Sequence, residues 1–145
     1  MMRETHDVND PLRVFIAGPM ESAGGNWNLP LFDYVAKKLR EKGCEVYSPA
    51  EHLRDRHETL ENVLAMEKIR RKVARNMALK DELIWIIDHA QLIFLLPGWE
   101  RSPGAKAEHA MALACGVNVY ESPTIVLPAG GAEVDIVLDL PAPAA

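Results

Sequence analysis

Residues Gln91 to Gly116, QLIFLLPGWERSPGAKAEHAMALACG, constrain the fold more than any other stretch of this chain. Gln91-Leu-Ile-Phe-Leu-Leu96 is a short, unbroken apolar run, the pattern of a strand covered on both faces, and Pro97-Gly98 ends it. Ser102 is a good N-cap and Pro103 suits the first helical position, so a helix is predicted from Pro103 to Cys115. At about 100° per residue, Gly104, Ala107, Met111 and Cys115 form one stripe, and Glu108 falls inside it, one turn after Gly104. In a parallel α/β sheet the turn after a strand and the first turns of the next helix lie at the carboxyl edge, where ligands bind. Most helical glutamates are simply solvated; the place of Glu108 among small residues makes a ligand-facing role an equal reading. The turn is neither a P-loop nor a Gly-x-Gly-x-x-Gly turn. Ser102 with the N–H groups of Gly104 and Ala105 nevertheless forms a candidate anion site at a helix N-terminus.

The same alternation runs through the rest of the chain. Arg13-Val-Phe-Ile-Ala17 reads as a first buried strand ending at Gly18-Pro19, and residues 20–25 as a loop. From Asn28 the pattern turns helical: Leu31, Tyr34, Val35 and Leu39 share one face, lysines and arginines the other, and Gly43 is a natural terminator. Cys44-Glu-Val-Tyr47 follows as a second strand, giving a βαβ unit with parallel strands. Residues 50–56 read as a polar connection. Residues 60–90 contain no Pro or Gly and predict one long helix, or two joined by a bend near Lys80-Asp81. Val117-Asn-Val-Tyr120 and Thr124-Ile-Val-Leu127 are further strand candidates. Residues 1–11 read as a loose polar arm and 141–145 as a flexible tail.

At 145 residues the chain is expected to form one α/β domain, residues 1–145, with a small parallel sheet. Its net charge of −5 argues against a surface that coats nucleic acid, while leaving room for a small anionic metabolite held by local donors. No apolar stretch reaches membrane-spanning length and the N-terminus is not signal-like, so a cytoplasmic location without membrane attachment is the expectation. Cys44 and Cys115 lack metal-type spacing and read as buried free thiols.

Each candidate for chemistry has a plainer alternative. Gly18 allows a ligand to approach the backbone, or only makes the turn. Asn28-Leu29-Pro30 reads best as an N-cap with proline in the first turn. Trp27 and Trp99 follow strands; each can stack on a base, although packing at the edge of the core is the commoner role of such a residue. His52, His57, His89 and His109 repeat no zinc spacing, so no metal is expected. His109 falls on a different helical face from its neighbour Glu108. No serine sits in a nucleophile-elbow motif. Lys68, Arg70, Arg71, Lys72 and Arg75 read most simply as a solvated helix face, with entry of one arginine into a neighbouring subunit's site as the alternative. Asp81, Glu82 and Asp88 read as solvated acids, and Asp81 or Glu82 reaches the carboxyl edge only if the helix bends over it.

Taken together, Val14-Phe-Ile-Ala-Gly-Pro-Met20, Asn28-x-Pro-x-Phe32, Val46-Tyr-Ser-Pro-Ala-Glu51 and Leu96-Pro-Gly-Trp-Glu-x-Ser-x-Gly-Ala-x-x-Glu-His109 resemble one group of proteins. They look like the DUF4406 proteins, relatives of the nucleoside 2-deoxyribosyltransferases and the nucleoside 5′-monophosphate N-glycosidases. The resemblance covers roughly residues 13 to 120. It implies a flavodoxin-like three-layer sandwich with a small, mainly parallel five-stranded sheet, in a homodimer or larger homo-oligomer. It implies cleavage of the N-glycosidic bond of a nucleoside or nucleotide without metal or organic cofactor, as a hydrolase or a transferase. In that group a glutamate near a helix start is the nucleophile at C1′, and Glu108, with Gly104 before it, matches that position. The second acid is an aspartate ahead of the third strand; Asp81 is the nearest match, a residue or two farther from the strand than expected, with Glu82 and Asp88 as alternatives. Gly18, Pro19, Met20, Asn28, Trp99, Ser102 and Gly104 are then the candidate substrate contacts, with Ser102 the natural seat of a 5′-phosphate. The rival expectation from another class is a nucleotide-binding or sensing module on the same fold, without turnover.

Overall fold

A computed structural model describes residues 10–20, 27–57 and 60–122. In chain order the elements are β1 (Arg13–Ala17), α1 (Leu29–Glu41), β2 (Glu45–Tyr47), α2 (Pro49–His57), α3 (Leu60–Ala65), α4 (Lys68–Asp88), β3 (Leu92–Leu95), a 3-10 turn at Trp99–Arg101, α5 (Pro103–Ala114) and β4 (Asn118–Glu121). The strands lie in the order β2-β1-β3-β4, and every pairing is parallel. The apolar runs of the two inner strands, β1 and β3, are explained by burial on both faces. Val14, Ile16, Leu92 and Phe94 pack with Phe32, Val35 and Leu39 of α1 on one side. Phe15, Ala17, Ile93 and Leu95 pack with Ile86 of α4 and with Ala105 and Ala112 of α5 on the other. The result is three layers, consistent with a flavodoxin-like fold.

The described sheet has four strands where five are expected. The fifth candidate, residues 124–127, lies outside the described residues, as do residues 1–9 of the arm and the tail at 141–145. Gly43 terminates α1 as predicted: it takes φ +88°, which a side chain disfavours, and its N–H donates to the Arg40 carbonyl at 2.9 Å.

Two expectations are corrected. Residues 50–56 are not a polar connection but most of α2. Pro49 opens this helix, the Ser48 carbonyl accepts from the N–H groups of Glu51 and His52, and Arg54 grips Asp33 of α1 through two bonds of 2.8 and 2.6 Å. The helix is anchored by Ala50, which is fully buried, and by Leu53, which packs on the α1-side core, and the half-exposed ion pair adds orientation more than stability. The long helical region breaks at Met66-Glu67, not near Lys80-Asp81, and α4 runs straight through that point. Glu67 is extended, at φ −59° and ψ 148°, and its carbonyl accepts from the Arg71 N–H at 2.9 Å. The Arg71 guanidinium donates to the Leu64 carbonyl at 3.2 Å, so this side chain closes the end of α3 while its backbone opens α4.

Candidate active site

In this strand order β1 connects outward to β2 while β3 connects the other way to β4, so the reversal lies between β1 and β3. A crevice outside the carboxyl ends of two such strands is where open α/β sheets bind ligands. Gly18 follows β1 at this point. A Cβ on it would meet Leu96 Cβ at 2.7 Å, so the glycine is needed for the two strand ends to close on each other. Gly98, at φ +85°, comes close to Pro19: a Cβ there would lie 3.4 Å from Pro19 Cγ. Asn28 adopts the left-handed conformation (φ 62°, ψ 15°) and its side chain does not cap α1. Its Nδ2 instead donates to the Pro19 carbonyl at 3.1 Å, tying the start of α1 to the turn after β1. Gly18, Pro19 and Asn28 are therefore gathered at the same edge as Gly98. Met20 is half-buried against the α1-side core.

After the turn that follows β3, α5 begins as predicted. Ser102 is extended and its hydroxyl accepts from the Ala105 N–H at 3.2 Å. That bond occupies one of the two backbone donors expected to serve an anion; the other belongs to Gly104. The buried line of α5 is Ala105, Glu108 and Ala112, turned slightly from the predicted stripe, whose members Gly104, Ala107, Met111 and Cys115 are half-buried. Glu108 lies at the centre of that line, with 4% of its surface exposed.

The partner of Glu108 comes from α4. The Glu82 side chain hydrogen-bonds to it, and burial, together with the charge and the hydrogen bond of Glu82, holds the Glu108 carboxyl well above the usual carboxylate range. Two carboxyl groups in hydrogen-bond contact must share a proton, because two adjacent anions in a dry site repel each other. The pair therefore carries both a proton that can be given and a lone pair that can attack.

Glu82 is thus the acid brought to Glu108, while Asp81 and Asp88 are exposed on the same helix. The spacing that marks Glu82 is legible in retrospect. It stands four residues before Ile86, which is fully buried, and three after Leu79, so it occupies the core-facing side of α4.

Trp99 is half-buried rather than free to stack openly. Its ring lies 4.5 Å from that of His109, and its Nε1 donates to Glu121 Oε1 at 3.3 Å. Glu121 ends β4, so this bond ties the turn after β3 to the neighbouring carboxyl end. Trp27, by contrast, packs into the α1-side core. Among the described residues no group of three or more His, Cys, Asp or Glu side chains is arranged to hold a metal. No helix among them is long and apolar enough to cross a membrane. Both cysteines are free; Cys44 is buried, which pushes its thiol pKa up, whereas Cys115 is only half-buried.

Neither a curated protein nor a solved structure matches the chain significantly. A family model does: it spans residues 12–121, from just before β1 to the last residue of β4, and so takes in the whole described sheet and the carboxyl pair. The chain belongs to the DUF4406 family, a domain of unknown function.

Proposed function

We propose that this protein cleaves the N-glycosidic bond of a nucleoside or nucleoside 5′-monophosphate, with Glu108 meeting C1′ of the sugar and Glu82 as its acid–base partner. The observation that carries this reading is the hydrogen-bonded pair of carboxyl groups, one of them buried on the helix that follows β3. The likeness of the motifs around Gly18, Ser48 and Glu108 to those of deoxyribosyltransferases and nucleotide N-glycosidases suggests which bond is cut.

The chemistry follows from the charges. Breaking the bond between C1′ and a base nitrogen builds positive charge on the sugar, which a carboxylate stabilises or captures. The departing base needs a proton. At rest the more deeply buried Glu108 holds the shared proton. As C1′ becomes cationic, the proton passes to Glu82 and from there to the base nitrogen. A Glu108 oxygen bonds to C1′ as the C1′–N bond breaks. Water then attacks C1′ and leaves its proton on Glu82, and Glu108 departs as a carboxylate, which restores the pair. With water as acceptor the site is a hydrolase; an acceptor base in place of water would make it a transferase. For a 5′-phosphate, Ser102 and the Gly104 N–H are the nearest donors at the start of α5.

One observation favours a second reading, a nucleotide-binding module without turnover. A Glu108 that keeps its proton is a neutral donor, suited to holding a ligand hydroxyl or base without attacking it. Incubation with ribo- and deoxyribonucleosides and their 5′-monophosphates, with and without an acceptor base, separates the two. Free base released by the wild type and not by Glu108→Gln supports the enzyme, and product in the acceptor lanes identifies a transferase. Binding without base release across the panel supports the module.

A further inference from the structure

The outer face of α4 is apolar where a solvated helix should be polar. Ile69, Val73, Met77 and Ile84 are 78%, 54%, 56% and 45% exposed. They recur at spacings of four, four and seven residues, which places them on one stripe. Lys80 alone interrupts it, and a lysine stem can lie along apolar surface with its ammonium in water. The stripe lies on the side of the helix away from Ile86 and Glu82, which face the sheet and α5. A helix of 21 residues is about 31 Å long, so this is an extended seam and not one stray side chain.

Charge along the helix indicates what covers the seam. The exposed side chains Lys68, Arg70, Lys72 and Arg75 make its first half basic, and the exposed Asp81 and Asp88 make its end acidic. Arg70 and Asp88 are eighteen residues apart, about five full turns, so both flank the stripe on the same side. In an antiparallel pair of identical helices, the same flank of each helix meets its counterpart. Arg70 of either copy then comes opposite Asp88 of the other, twice per pair, with the twofold axis falling between Met77 and Lys80. A parallel pair would set the basic halves side by side, and an anionic surface would meet repulsion from the acidic end.

We infer that α4 is a self-association surface, on which a second copy of this chain docks its own α4 antiparallel along the Ile69-Val73-Met77-Ile84 stripe. A single helix pair gives an interface at the small end of the stable range, so the dimer is concentration-dependent. The inference holds whatever chemistry Glu108 performs, and its test needs no substrate.

Sedimentation of the full chain over a concentration series should show the 16.1 kDa monomer giving way to a dimer. A monomer persisting at about 200 µM overturns the inference, since that is well above the range expected for such an interface. Met77→Asp places two carboxylates near the axis and should abolish the dimer while leaving the circular dichroism spectrum unchanged, because the site is exposed in the monomer; a dimer that survives it overturns the inference. Arg70→Glu and Asp88→Arg should each weaken association about three- to tenfold, as a flanking ion pair turned repulsive would. Mixing the two variants should restore it, since each then supplies the charge the other lacks; failure to recover removes the antiparallel pairing. In a Cys115→Ser background, a short bis-maleimide should link Ile69→Cys to Ile84→Cys but not Ile69→Cys to itself, and the reverse pattern would overturn the orientation. Flotation with anionic vesicles that is lost in Met77→Asp, without self-association, would reassign the stripe to a lipid surface.

Discussion

Glu82 of α4 and Glu108 of α5 meet as a hydrogen-bonded carboxyl pair, although 26 residues and an entire strand separate them in the chain. The packing of α4 on α5 brings them together, and burial of Glu108 makes the shared proton expensive to remove. This pair is the most chemically loaded feature of the described structure.

Substitution at the pair should affect activity and stability in opposite directions. Glu108→Gln should abolish base release while raising stability at neutral pH. With its native pKa raised, Glu108 contributes fully only below the ordinary carboxylate range, where folded and unfolded chains are both protonated. As pH climbs from there through the raised native value, the unfolded chain ionises first and stability falls. Urea titrations across that window should show the wild type losing stability with rising pH and Glu108→Gln losing less. Parallel curves would contradict the raised pKa.

Glu82→Gln tests the proton relay. Removing its charge should lower the Glu108 pKa towards the ordinary range, although burial still holds it up. Base release should fall about 10²- to 10⁴-fold, the usual cost of losing a general acid. Asp81→Asn, on an exposed position of the same helix, should leave both unchanged. Carboxyl-carbon NMR titration of Glu108 reads the first effect and base release the second. A large loss in Asp81→Asn with none in Glu82→Gln would return the second acid to Asp81.

Gly18→Ala should destabilise the protein by about 1–3 kcal/mol, the usual cost of overpacking a tight contact. The clash is with Leu96 Cβ, at 2.7 Å, so Leu96→Ala should not relieve it. Denaturant midpoints of the two single variants and the double variant decide the point; a double variant more stable than Leu96→Ala alone would show that the strand ends close differently.

Ser102→Ala should cost about 1 kcal/mol by leaving the Ala105 N–H without its cap. Ser102→Asp should keep the cap and add a negative charge. If a 5′-phosphate sits at the start of α5, Ser102→Asp raises KM for nucleoside monophosphates and leaves nucleosides unaffected. Equal effects on both would place the phosphate elsewhere.

The apolar runs at Val14–Ala17 and Leu92–Leu95 announce buried parallel strands because a strand covered on both faces has no polar side to show. The Ser102-Pro103 helix start and the Gly43 terminator are equally plain, because caps are written in adjacent residues. The small residues around Glu108 left solvation and a ligand-facing role as equal readings, and its burial against α4 came from packing. The helix over residues 49–57 was not legible, because its contacts are with other elements: Ala50 and Leu53 pack on the α1-side core, and Arg54 and Glu51 pair with Asp33 and Arg40 of α1. Nor was the break at Glu67, where Arg71 caps α3 across the gap instead of a proline or glycine marking it. The local pattern of residues specifies the inner strands β1 and β3, the helix α1 and the start of α5, and puts a carboxylate one turn past Gly104, because those features depend on neighbours along the chain. It is the packing of α4 on α5 that brings Glu82 against this carboxylate, with Asp81 on an exposed position of the same helix. One residue along a helix is a turn of about 100°, and whether that faces solvent or a second carboxyl group depends on how α4 rolls against α5.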